Sequence, residues 1–100
     1  MDKKELKELK AFYKTLFKLE VPTEDGDKVL YLRKLDRVTY SAGQKLLEKD
    51  ELQAAEMFLR SLTVGGDDVE AIISDFDSLR TASSLLIDVI GSKTGNVTKL

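Results

Sequence analysis

One hundred residues, 42% hydrophobic and 34% charged, have the composition of one ordinary globular domain with a modest core. The chain has no Cys and no His, which excludes disulfides, metal sites built on thiolate or imidazole, and the usual general base. The net charge of −2 argues against nucleic acid as the main ligand, and no apolar run approaches the roughly 18 residues of a membrane span.

The first stretch, Asp2 to about Tyr13, predicts a helix, with Leu6, Leu9 and Tyr13 on one stripe and Lys and Glu elsewhere. No apolar h-region follows Met1, so no signal peptide is expected; the cysteine-free composition suits a reducing cytoplasm. After Tyr13 two readings compete. Leu16 and Phe17 continue the helical stripe, while Phe17, Leu19 and Val21 alternate as in a strand. Residues 28–35 read as a strand and need a neighbour for their backbone groups. Thr15–Val21 is the nearby candidate, and Pro22–Asp27 is turn material with Asp25-Gly26 at the tip. The spacing therefore predicts a β-hairpin in which Val21 faces Lys28, Leu19 faces Leu30 and Phe17 faces Leu32. That face is expected to be core. The opposite face pairs Leu16 with Arg33, Lys18 with Tyr31 and Glu20 with Val29, and is amphipathic. A lone hairpin has two open edges, which recruit strands.

Asp36 is placed to cap a helix over 37–49, with Tyr40, Gly43, Leu46 and Leu47 toward the core. Gly43 inside that helix reads as close helix packing or simple tolerance. Asp50, with Gln53 three residues on, predicts a capping box and a helix over 51–64 that buries Leu52, Ala55, Phe58, Leu59 and Leu62. Gly65-Gly66 reads as its stop. Asp67 and Glu70 form another capping box, opening a short helix through Val69, Ile72 and Ile73. Asp75 or Asp77 then caps a long helix from Phe76 to about Ile90, with Phe76, Leu79, Ser83, Leu86 and Ile90 on its core stripe and Ala82 and Ile87 beside it. The fold class is α+β: an N-terminal helix, a two-stranded hairpin and a C-terminal bundle of three to four helices, one domain over 1–92 and a flexible tail over 93–100.

A search for chemistry returns little. The serines have no His to activate them and no G-x-S-x-G occurs, so no catalytic residue is assigned and no enzyme is expected. Gly65-Gly66-Asp67-Asp68 matches neither a phosphate loop nor a calcium loop, so neither a metal nor a cofactor is expected. Helices 37–49 and 51–64 resemble a helix-turn-helix in outline, but the second carries Glu51 and Glu56 against Arg60, the wrong sign for phosphates. Charge is segregated along the chain. Residues 2–18 hold six Lys against Asp2, Glu5 and Glu8, and residues 67–80 hold five acids against Arg80. The expected contact surface is the N-terminal helix with the hairpin, through Lys3, Lys4, Lys7, Leu16, Tyr31 and Arg33. It serves a protein partner or weak self-association guided by charge.

The run Tyr31-Leu32-Arg33-Lys34-Leu35-Asp36-Arg37 with Thr39-Tyr40, then Lys49-Asp50-Glu51-Leu52-Gln53-Ala54-Ala55-Glu56, then Val64-Gly65-Gly66-Asp67, resembles small phage and prophage tail assembly chaperones over about residues 12–90. The relatives often carry proline where Leu35 and Glu51 stand here, a mild departure at a strand exit and a first helical turn. The resemblance implies a factor without enzymatic activity or cofactor. It implies binding to the tail tape measure protein or the tail tube protein, with no role for nucleic acid or membrane. The rival classes are a structural virion component, such as a tail or head-completion subunit, and a regulatory adaptor of a mobile element.

Overall fold

The hairpin tip sets the register of the whole sheet. In the computed structural model, which describes residues 3–90 and 98–99, Glu24 and Asp25 form the turn and Gly26 follows at φ 104°, a left-handed conformation that suits glycine. From that turn β1 (Leu16–Thr23) and β2 (Gly26–Arg33) pair antiparallel, with Val21 opposite Lys28, Leu19 opposite Leu30 and Phe17 opposite Leu32. This is the register that the alternation predicts. Before the hairpin lies α1 (Lys3–Phe12). After it come α2 (Arg37–Leu47), α3 (Glu51–Leu62), β3 (Thr63–Gly66), α4 (Val69–Ile73) and α5 (Phe76–Ile90). The class is α+β.

The hairpin is wider than two strands. β3 pairs antiparallel with β2, placing Leu30 opposite Gly66 and Tyr31 opposite Gly65, with a register shift before Leu32 opposite Thr63. On the other side Thr98–Lys99, a two-residue β4, lies against Lys18 and Phe17 of β1. The expected tail 93–100 otherwise falls outside the described residues. The helix expected to reach residue 64 therefore ends at Leu62, and the glycine pair is not its stop. Two β-branched residues, Thr63 and Val64, turn the chain extended, and β2 supplies the open edge they pair with. Gly66 stands at φ 103°, where an added Cβ would collide with the Val29 carbonyl oxygen. The next residue clamps the pair from both sides. The Asp67 backbone N–H donates to Val29 O at 2.8 Å, and the Val29 N–H donates to Asp67 Oδ2 at 2.7 Å.

One face of this sheet carries the core. Leu19, Val21, Leu30 and Leu32 meet Ala54, Ala55, Phe58, Leu59 and Leu62 of α3, Ile72 of α4, and Leu79, Ala82, Leu85 and Leu86 of α5. Phe17 packs half-buried at the margin. The helix caps follow the aspartates. Asp36 accepts from the Thr39 N–H, Asp50 from those of Leu52 and Gln53, and Asp68, not Asp67, from that of Glu70. Three expected core residues are exposed instead. Tyr40 and Leu47 of α2 are 42% and 39% exposed, and Phe76 of α5 is 61% exposed, beside Arg80. Ile87, expected beside the α5 core stripe, is likewise 62% exposed. None of the described elements covers them: α2 packs chiefly on α3, and Gly43 is its buried residue.

Gly43 explains how α2 sits. A Cβ built there would overlap the ring of Phe58, which is 1% exposed, so the ring or the helix would have to shift. Gly43→Ala would gain about 0.5–1 kcal/mol of helix propensity, but overpacking a core costs about 1–3 kcal/mol. The expected outcome is a lower urea midpoint, and a raised midpoint would show that α2 is free to move off α3. A second site works the other way. The Thr63 hydroxyl is buried with no hydrogen-bond partner. Thr63→Val keeps the shape and removes an orphaned group that costs about 1–3 kcal/mol, so its midpoint should rise.

Candidate functional site

The helical hairpin α2–α3 turns within three residues, Glu48 to Asp50, so α2 runs back along α3. Its C-terminal end brings Leu47 beside the N-terminal half of α3. From the other side, α5 brings Ser83, Leu86 and Ile87 to the same half. Between the two lies a groove of about 330 Å³. Ala54, Ala55 and Phe58 of α3 also line it, and Glu51 is the one charged lining residue among the described residues. The small side chains of Ala54 and Ala55 are part of why a hollow exists there. Sequence reasoning missed this site because it assigned Leu47 and Ile87 to the core by helical spacing. The available signal was the pair of alanines with too few large residues around them.

The surface expected from the sequence is divided by the structure. Lys3, Lys4 and Lys7 are exposed on α1, which has no buried residue. Leu16 is 1% exposed and Tyr31 9% exposed, so neither offers a docking surface in this fold. The two-edged hairpin behind that expectation does not occur, because β3 flanks β2 and β4 flanks β1 at Phe17 and Lys18. Arg33 is half-buried and turned to structural use. Its Nε donates to Ser61 O at 3.2 Å, one terminal nitrogen to Asp36 Oδ2 at 2.7 Å, and the other to Thr39 Oγ1 at 3.4 Å. One guanidinium thus ties the end of β2 to the start of α2 and the end of α3, a use of its rigid fork.

The acidic segment 67–80 is also engaged within the fold. Asp67 clamps Val29 and Asp68 caps α4. Glu70 pairs with Arg60 at 3.0 Å, and that hydrogen bond holds its carboxyl below the usual range. Asp75 accepts from the Ser78 hydroxyl, and Asp77 lies 3.7 Å from Arg80. Among the described residues no group of three or more Asp or Glu is placed to hold a metal ion, and no helix is long and apolar enough to cross a membrane. A second hollow, of about 530 Å³, lies under α1, between Leu9 and Phe12 and the Val64–Gly66 strand. Phe12 remains 79% exposed there, with its ring edge-on to Tyr13 at 4.8 Å.

Comparison with protein-family models, with curated proteins and with solved structures finds no significant match.

Asp36, the N-cap of α2 at the end of that helix away from the groove, is the carboxylate whose pKa shifts furthest among the described residues. Hydrogen bonds from Thr39, then from Arg33, lower its pKa to about 2. A folded pKa below the unfolded value of about 3.9 stabilises the fold above that pH and ceases to do so as pH falls through about 2. The stability difference between the protein and Asp36→Asn should therefore be present at neutral pH and shrink between about pH 4 and pH 2. A difference independent of pH over that window would mean that Asp36 carries no ionic role.

Proposed function

We propose that this chain is a non-enzymatic protein of a phage or prophage tail module, similar in role to tail assembly chaperones. It acts in the cytoplasm of the bacterial host, where it holds an apolar helix of the tail tape measure protein. The resemblance over residues 12–90 motivates the class. The observation that carries the binding mode is the groove between α2 and α5. A holdase for apolar helices needs an apolar concavity open to solvent at the width of a helix face, and recognition of this type reads anchors at helical spacing. Leu47, Ala54, Ala55, Phe58, Leu86 and Ile87 supply such a surface. Its walls include Leu47 and Ile87, 39% and 62% exposed, which add desolvation energy on binding without rearranging the core.

The binding requires no cofactor, and the exposed lysines of α1 serve encounter with an acidic stretch of a partner more than they set affinity. The test is co-expression with the tape measure protein that this reading expects to be encoded beside the chain, scored by capture of the soluble complex. The unaltered chain should keep the tape measure protein soluble. Ile87→Glu, at an exposed wall, should fold normally and lose at least ten-fold in capture. Equal capture by Ile87→Glu would remove the groove from the mechanism, and no capture by the unaltered chain would remove the chaperone reading.

A further inference from the structure

The groove lies where a further helix of the bundle would pack. Its walls come from α2 and α5, its floor from α3, and none of the described elements fills it. The same chain carries a helix with no adequate seat. α1 has no buried residue, and its apolar positions Leu6 and Leu9 are only half-buried. It rests on the Val64–Gly66 strand over the loose 530 Å³ hollow, and Phe12 at its end is 79% exposed. Gly65 and Gly66 offer that helix no side chains to pack against.

We infer that α1 of a second copy of this chain occupies the α2–α5 groove. Charge favours this occupant. α1 carries four lysines against two glutamates, while the corner beside the groove carries Glu48 and Glu51 against Lys49, besides Asp50, whose carboxylate caps α3. Glu51, the groove's charged lining residue, is acidic. Phe12 is the natural anchor, since aromatic side chains seated in apolar pockets carry a large share of binding energy. The contact is head-to-tail: the surface given by one copy differs from the surface taken on the next. Such contacts build chains or closed rings, not two-fold dimers. The inference uses the groove and not the identity of the client assigned to it. If both readings hold, a client helix must displace α1 of a neighbouring copy, so client binding and self-association exclude one another.

The experiment uses the full chain alone, so its failure is separate from a failure to capture the tape measure protein. Sedimentation velocity from micromolar to millimolar concentration should show mass rising above that of one copy. Phe12→Glu disables the donated helix and Ile87→Glu disables the groove; both residues are exposed, and circular dichroism verifies that both variants fold. Each alone should remain a monomer. Mixed, they should form a one-to-one dimer, because each supplies what the other lacks. The chain has no cysteine, so Phe12→Cys mixed with Ile87→Cys should form a disulfide between copies when oxidised glutathione is added as the oxidant. A monomer at every concentration overturns the inference. So does association abolished by Ile87→Glu but untouched by Phe12→Glu, which would mean that grooves meet each other. A mixture of the two Glu variants that stays monomeric overturns it as well.

Discussion

The contact between Gly43 and the Phe58 ring governs the helical half of the molecule. Phe58 reaches up from α3, and only a residue without a Cβ lets α2 settle on it. That approach fixes where α2 ends and holds Leu47 over the N-terminal half of α3. The same ring forms part of the groove floor. The core and the candidate site therefore share side chains: Ala54, Ala55, Phe58 and Leu86 belong to both. A packing change that lifts α2 would alter stability and groove width together, which ties a mid-helix glycine to the shape of the candidate site.

Most of the local structure was legible in the sequence, because short-range physics decides it. Strict alternation over Phe17–Val21 and around Leu30–Leu32 fixed the hairpin register, since a slip by one residue would turn the core face to water. Asp36 and Asp50 cap the helices they were expected to cap, and the α4 and α5 boundaries match the expected stretches. The third strand was not legible. Thr63-Val64-Gly65-Gly66 has glycines at a helix end, and the same residues serve a stop or a strand with close backbone approach. Pairing with β2, far away in sequence, decided between them. The groove was missed for a related reason. Helical spacing identifies which residues share a face, but not whether another element arrives to cover it. Leu47, Phe76 and Ile87 have the right period, and the described elements leave them exposed.

Charge illustrates the same limit. The basic N-terminal stretch and the acidic stretch 67–80 look alike as runs, yet they serve different ends. The acids are spent on local tasks: clamping Val29, capping α4, pairing with Arg60 and bonding Ser78. The lysines of α1 remain exposed. A run of like charge is thus weak grounds for a partner until its hydrogen bonds have been traced. Arg33 shows the converse, a cation that seemed free and instead ties three elements together.

The pairing of Leu30 with Gly66 has a consequence for how the protein emerges from the ribosome. The hairpin is complete once Arg33 has been made, but the helix that covers its apolar face follows some two dozen residues later, and the strand that flanks it later still. At about 5–20 residues per second, Leu19, Val21, Leu30 and Leu32 face water for on the order of seconds during synthesis. The nascent chain thus presents for a time the very kind of surface that a holdase protects.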